Sequence, residues 1–404
     1  MALHSRAPAH ADGLDLKLPQ PDPGALAVST RLRARLVERI RKSGGVLAFD
    51  QYMHQALYEP GLGYYANGMA KFGPEGDFVT APEMGGLFAR AVARQCADVL
   101  RAMGGGDILE FGAGSGRLAR QALRELQSLH QLPERYYILE LSASLRALQQ
   151  ETLESMDPVL KSRVVWLDAM PEPGFRGCVI ANEVLDALPV KRFRKQGAKL
   201  QEEMVCEAND VLALRYETPG DELKLAVDAV ERRLGRGLSD GYRSEVCTLL
   251  PAWMNALNHA MGQGLVLLVD YGYTGSDYYR PERNRGTLIC FHRHRAHEDP
   301  LRWPGLCDIT ANVDFSAAAH AAHDAGFEVS GFTTQAFFLM GNGLETMLAE
   351  SDPEDTVSHL RRSQEAKTLT LPARMGERFN VLALSKDLDL LLPAFQPADW
   401  RGRL

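Results

Sequence analysis

The stretch DILEFGAGSGRL, residues 107–118, reads as a strand, a glycine turn and a helix start in one short run. Ile108, Leu109 and Phe111 are apolar enough for a buried parallel strand, and Glu110 interrupts them at the carboxyl end, where a ligand would meet the sheet. A buried acid at that place needs a partner. Gly112, Gly114 and Gly116 let the backbone turn sharply and approach a ligand without a Cβ in the way. A helix beginning near Ser115 follows, with Leu118, Ala122, Leu126 and Leu129 forming one stripe that packs back on the strand.

The spacing is G-x-G-x-G, two residues after a glutamate, whereas dinucleotide sites carry G-x-G-x-x-G and use the helix dipole on a pyrophosphate. A sulfonium nucleoside needs acids and close backbone contact instead. The motif therefore favours S-adenosylmethionine over NAD and disfavours a dinucleotide oxidoreductase.

Reading forward, Tyr136–Leu139 form a second strand that ends at Glu140, placed to accept a pair of ribose hydroxyls or, alternatively, to serve the N-terminus of the helix from Ser142. A third strand, 164–167, ends at Asp168, at the adenine edge or simply on the surface. A fourth, 178–181, runs into Asn182, Glu183 and Asp186, three polar groups just past an apolar strand and so the natural reaction site of an open α/β sheet. Residues 190–262 break the alternation with short polar strands and a helix read over 245–261, an inserted α+β segment. A fifth strand at 265–269 precedes a long loop, 273–314, then a helix over 315–325 and strands at 328–332 and 378–384. The pattern predicts an α/β protein with a seven-stranded sheet and a late antiparallel strand.

Reading backward, residues 31–103 are expected to form an N-terminal helical cap and residues 1–30 a disordered lead-in, with 104–404 as the core. Within the cap, KFGPEGDFVTAPE (71–83) carries Asp77, Phe78 and Thr80, more than a linker needs.

The 404 residues are 45% hydrophobic, enough for one elaborated domain or two. Forty-five basic against 52 acidic residues, a net charge of −7, argue against nucleic acid as a partner. No apolar run reaches membrane-spanning length, which argues against membrane insertion. Six cysteines without a C-x-x-C pair indicate neither zinc nor a disulfide framework. His292, His294 and His297 alternate with arginines at a spacing that suits no zinc motif, so no metal is expected.

Together these stretches resemble the family of S-adenosylmethionine-dependent methyltransferases that contains the mitochondrial complex I assembly factor and its MidA-like bacterial relatives. The matching segments are FDQYMHQALYEPGLGYY (49–65), GDFVTAPE (76–83), EFGAGSG (110–116), ELS (140–142), NEVLDALPV (182–190), VDYG (269–272), DITANVDF (308–315) and MGERFNVLAL (375–384). The resemblance implies a class I, Rossmann-like methyltransferase fold, a cofactor held by Glu110, Gly112, Gly114, Gly116 and Glu140, and a protein substrate. It further implies arginine methylation, to symmetric dimethylarginine, on a respiratory complex I subunit or its bacterial equivalent. Arg120 stands where relatives are expected to carry an acid. Residues 1–40 resemble no transit peptide, which points to a bacterial cytoplasmic protein rather than the mitochondrial matrix, and a homodimer is compatible with the sequence.

A guanidinium stays protonated in water, so an enzyme acting on it should supply carboxylates to orient it. Glu183 and Asp186 are the candidates, with Asn182 fixing orientation and Asp77 completing the site from the cap. A non-catalytic, cofactor-holding assembly chaperone would carry the same glycine turn.

Overall fold

A computed structural model describes residues 18–69, 71, 80–350 and 355–404. Seven central strands, numbered here in chain order, are β1 (Asp107–Phe111), β2 (Tyr136–Leu139), β3 (Val164–Leu167), β4 (Phe175–Asn182), β5 (Met261–Tyr273), β6 (Glu328–Thr334) and β7 (Phe379–Lys386). They lie side by side in the order β3-β2-β1-β4-β5-β7-β6. The first five are parallel, and β7 is antiparallel to both neighbours. The expected seven-stranded sheet with its late reversed strand is therefore present, and a short strand, Val313–Asp314, extends it at the end of β5.

Alternate residues of each strand feed opposite faces, so near-continuous apolar runs are required. Ile108 and Ile180 pack with the helices Leu87–Met103 and Arg117–Ser128 on one face. Leu109 and Val179 pack with the helices Leu250–Ala260 and Phe315–Asp324 on the other. Leu265–Val269 are wholly buried, as expected of a central parallel strand.

Several boundaries differ from the sequence reading. The first helix starts at Pro23 within the expected lead-in, because Asp22 caps Ala25 N–H (2.9 Å) and proline opens the helix. Its buried stripe is Ala25, Ser29, Leu32, Leu36 and Ile40. The helix Leu87–Met103, assigned to the cap by its position in the chain, instead covers the central sheet. The expected helix 245–261 divides into a strand, Arg243–Val246, and the helix Leu250–Ala260, while β5 already begins at Met261. Pro251 at the second helical position sets the later start.

A second sheet is built from Val46–Ala48 and the inserted strands Lys191–Gln196, Lys199–Ala208, Val211–Glu217 and Arg243–Val246. Val46–Ala48 pairs antiparallel with Met204–Cys206, which ties the N-terminal segment to the insertion. The 273–314 stretch, expected as a long loop, contains a helical turn at Gly275–Tyr278 and a three-stranded sheet of Ile289–His292, Arg295–His297 and Asp308–Thr310. Its apolar face joins the helices Pro23–Lys42 and Phe49–Tyr58 through Cys290, Cys307 and Ile309. Tyr52 Oη donates to Pro300 O at 2.6 Å, fixing the segment to that second core.

The central strands approach tightly at their amino ends. Gly177 in β4 has φ +145°, and a Cβ there would lie 1.8 Å from the Asp107 carbonyl oxygen of β1. Gly177→Ala is expected to lower the stability from urea unfolding by at least about 3 kcal/mol. Gly402→Ala, where an added Cβ meets nothing within 4 Å, should change it by less than ~0.5 kcal/mol.

Candidate functional site

The carboxyl ends of β1, β2, β4 and β5 converge on one edge of the sheet. Glu110 is 2% exposed, and Tyr136 Oη from the adjacent strand donates to its carboxylate at 2.7 Å, supplying the partner its burial demands. Burial pushes the Glu110 carboxyl up to about 7, against the Tyr136 hydrogen bond and with the help of the nearby Glu140 charge.

Past Phe111 the chain enters the left-handed region three times, with φ of +58°, +54° and +81° at Gly112, Gly114 and Gly116. Gly112 N–H still donates to Leu139 O (3.0 Å), so the turn grows directly out of the β1–β2 pairing. Regular helix starts at Arg117, with Gly116 as its cap residue rather than Ser115. Gly116 also allows close approach, since a Cβ there would lie 3.2 Å from Gln149 Cα.

Gln149 is the residue that sequence reasoning missed. Wholly buried, it donates through Nε2 to Gly114 O (3.1 Å) and to Glu140 Oε2 (3.0 Å), and it accepts from Trp166 Nε1 (2.9 Å). The signal was a glutamine at the centre of the buried stripe Leu145, Gln149, Leu153. Glu140 accepts from Ser142 N–H at 2.9 Å, and its pKa is raised by burial, opposed by the Ser142 and Gln149 hydrogen bonds. The cap of the helix Ala143–Glu154 is Ser142, whose Oγ accepts from Leu145 N–H, so Glu140 is free of that duty. Leu141 next to it leaves its side chain in solvent, 75% exposed.

Asp168 stands apart. Its side chain is 88% exposed and pairs with Arg146 at 2.7 Å, and Arg146 also donates to Glu140 O and Leu167 O. Arg120 packs beside Arg117 and Arg124, whose charges, together with burial as the leading cause, lower its pKa.

The strand end carrying Asn182, Glu183 and Asp186 lies beside the glycine turn, with Phe111 opposite Ala181 and a Cβ on Gly112 only 3.8 Å from Val184 Cγ2. Glu183 has φ +53°, unusual for a residue with a long side chain, and its N–H donates to Val269 O at 2.8 Å. Asn182 Nδ2 is 3.5 Å from Glu183 Oε1, while Asn182 Oδ1 is buried with no hydrogen-bond partner among the described residues. Asp186 is 1% exposed on the 3-10 turn Leu185–Ala187. Asp270, at the end of β5, holds that turn by accepting from the N–H groups of Leu185 (3.0 Å) and Asp186 (3.2 Å). Asp77 lies outside the described residues.

Two tyrosines from the FDQYMHQALYEPGLGYY segment roof both halves. Tyr58 Oη donates to Ala187 O (3.0 Å), and Tyr65 O accepts from Ser142 Oγ (2.6 Å). The two rings stack with centroids 5.5 Å apart, and Tyr65 Oη donates to Asp308 at 2.9 Å. In the histidine cluster, His292 Nδ1 bonds Leu306 O at 3.0 Å and its ring lies against Trp303, while burial lowers the His297 pKa to about 4. Among the described residues no three His, Cys, Asp or Glu side chains are grouped to hold a metal ion. No helix among them is long and apolar enough to cross a membrane.

The family model for S-adenosyl-L-methionine-dependent methyltransferases matches residues 91–333. A crystal structure of a candidate methyl transferase from Burkholderia thailandensis, bound to S-adenosyl-homocysteine, is 41% identical and superposes with a TM-score of 0.90, covering 96% of this chain and 100% of that one. The mitochondrial protein arginine methyltransferase NDUFAF7 homolog of Drosophila melanogaster is 29% identical over 390 residues, 89% of this chain and 84% of that one. NDUFAF7 of Bos taurus, also a mitochondrial protein arginine methyltransferase by name, is 28% identical over 385 residues, 88% of this chain and 83% of that one.

The raised Glu110 pKa sets a pH dependence with a definite sign. The folded chain holds a proton up to about pH 7, whereas the unfolded chain releases it near 4.5. Stability in the absence of ligand therefore falls as pH climbs through that window, by at most about 3 kcal/mol, and levels off above it. Glu110→Gln should remove this slope, so urea midpoints of the variant should gain on the parent protein between pH 5 and 8. A constant difference across that range would return Glu110 to ordinary carboxylate behaviour.

Proposed function

The chain belongs to this family of S-adenosyl-L-methionine-dependent methyltransferases, and from that premise we propose that it methylates a nitrogen of a protein side chain, namely arginine of a respiratory complex I subunit or its bacterial equivalent. We place the reaction in a bacterial cytoplasm. The observation that carries the reading is the polar strand end at Asn182, Glu183 and Asp186, set beside the glycine turn and held by Asp270. The arginine assignment leans on the names of the mitochondrial relatives.

The residues present suit the cofactor. Gly112, Gly114 and Gly116 are assigned to cradle it, since their backbone conformation leaves no Cβ between the loop and a ligand. Glu140 is assigned to its ribose hydroxyls and the exposed Leu141 to the flat face of its base. Glu110 is assigned with them to the cofactor site, its carboxyl group fixed by Tyr136, and Asp168 acts at the rim by holding Arg146 against Glu140 O. When bound, S-adenosylmethionine supplies a methyl group on a positively charged sulfur.

The chain's own contribution is alignment and charge. Methyl displacement depends on holding nucleophile and methyl in line more than on a strong base. Glu183 and Asp186 are assigned to bind the planar guanidinium fork and to localise a lone pair on the reacting nitrogen, with Asn182 orienting Glu183 and Asp77 assigned to the same acceptor role. The φ of +53° at Glu183 fits a side chain aimed by its backbone rather than by its rotamer.

Labelled methyl transfer from S-adenosylmethionine into extracts of a strain lacking this protein, with amino-acid analysis of the labelled band, tests the reading. The native chain should label one band as methylarginine and Gly114→Val none. Glu183→Gln should lower transfer about 100-fold while calorimetric affinity for S-adenosyl-homocysteine stays within about threefold, because the carboxylate is assigned to the acceptor. Parallel loss of both would move Glu183 into the cofactor site. Cofactor binding without any labelled band would favour the assembly chaperone.

A further inference from the structure

The glycine turn is gripped from two sides, each by a side chain from a helix. Gln149 holds Gly114 O from the helix Ala143–Glu154. The opposite grip comes from the segment Thr80–Met84, the end of the GDFVTAPE run, to which the reaction outlined above gives no role beyond Asp77. Ser115, flanked by Gly114 and Gly116, donates its hydroxyl to the Glu83 carboxylate. Arg117, the first residue of the following helix, reaches back to the same residue: its Nη1 donates to Glu83 O at 3.2 Å, and its Nε lies 3.4 Å from Glu83 Oε2. Both members of the central contact are shielded, with the Glu83 side chain 12% and Ser115 8% exposed.

Glu83 is itself firmly placed. It sits on the short helix Ala81–Met84, opened by Pro82 and followed directly by the helix Leu87–Met103. That second helix has no side-chain cap of its own; Glu365, from the helix Thr356–Thr370, accepts from Leu87 N–H at 2.7 Å instead. The Glu83 carboxylate is therefore mounted on a segment that is buried at Thr80 and Ala81 and leads straight into the anchored start of the helix Leu87–Met103, whereas the turn it grips has three residues of glycine freedom.

We propose that Glu83 is a positioning residue for the cofactor: its carboxylate, through Ser115, locks the glycine turn in the ligand-binding conformation. A turn left free would lose conformational entropy on binding; one locked in advance does not, so affinity rises without any contact between Glu83 and the ligand. The same contact makes the Thr80–Met84 segment part of the cofactor site. The inference rests on the reading of the glycine turn as the cofactor cradle.

A double-mutant cycle on the full chain, read by calorimetric binding of S-adenosyl-homocysteine, tests it. Glu83→Ala and Ser115→Ala should each weaken binding about tenfold, and the double variant should be no weaker than either single one. Glu83→Gln keeps an oxygen to accept the Ser115 hydroxyl and should stay within about threefold of the native chain. Thermal midpoints without ligand should move little, while the ligand-induced rise in midpoint shrinks in step with affinity. Unchanged affinity in both single variants, or losses that multiply in the double variant, overturns the proposal. Gly114→Val separates the two levels: if it too leaves binding intact, the cradle itself is misassigned and Glu83 falls with it.

Discussion

Asp270 is fully buried at the end of the central strand β5, and its carboxylate accepts from three backbone N–H groups, those of Leu185, Asp186 and Tyr271. A charge removed from water must be satisfied by strong donors. Here two of the three donors, Leu185 and Asp186, belong to the adjoining strand's exit, so satisfying the carboxyl group fixes the path of the chain carrying Asn182, Glu183 and Asp186. The Glu183 N–H to Val269 O bond completes the restraint. Three bonds to one strand thus hold a residue at a positive φ that it would not adopt alone.

The same device recurs at the neighbouring strand ends with a neutral group. Gln149 offers both halves of its amide and joins the ends of β1, β2 and β3 through Gly114, Glu140 and Trp166. A buried glutamine with three satisfied contacts avoids the cost of another charge beside Glu110 and Glu140. Tyr58 Oη, donating to Ala187 O, and the Tyr65 carbonyl, accepting from Ser142 Oγ, then link these strand ends to the N-terminal segment, with the two rings stacked over them.

Much of the central sheet could be read from the chain because each parallel strand, buried on both faces, must be apolar throughout and must stop at a polar residue. That rule located Glu110, Glu140 and the Asn182–Asp186 run correctly at strand ends. It failed where the partner is distant in sequence. Val46–Ala48 is too short to register as a strand, and its pairing with Met204–Cys206 has no local signature. Residues 273–314 looked like a loop because their strands are three or four residues long and draw their apolar contacts from the N-terminal helices. The helix Leu87–Met103 had the right periodicity, but periodicity does not say which face of which sheet a helix covers. Gln149 and Asp270 were visible as polar residues in apolar settings, yet their three-way bonding depends on backbone groups that no side-chain pattern reveals.

The pairing of Val46–Ala48 with Lys199–Ala208 has a consequence for how the chain comes to exist. A ribosome releases the first edge of this second sheet long before its partner strand is made, and the whole of β1 to β4 emerges in between. The N-terminal helices must wait with their apolar stripe uncovered until the inserted strands arrive, a high-contact-order step in a chain otherwise assembled from neighbouring βα units. The cap is thus not a module that folds first and docks later. It gains its full set of contacts only once residues 199–208 and the small sheet of residues 289–310 have been made, so its apolar stripe is completed last although it is synthesised first.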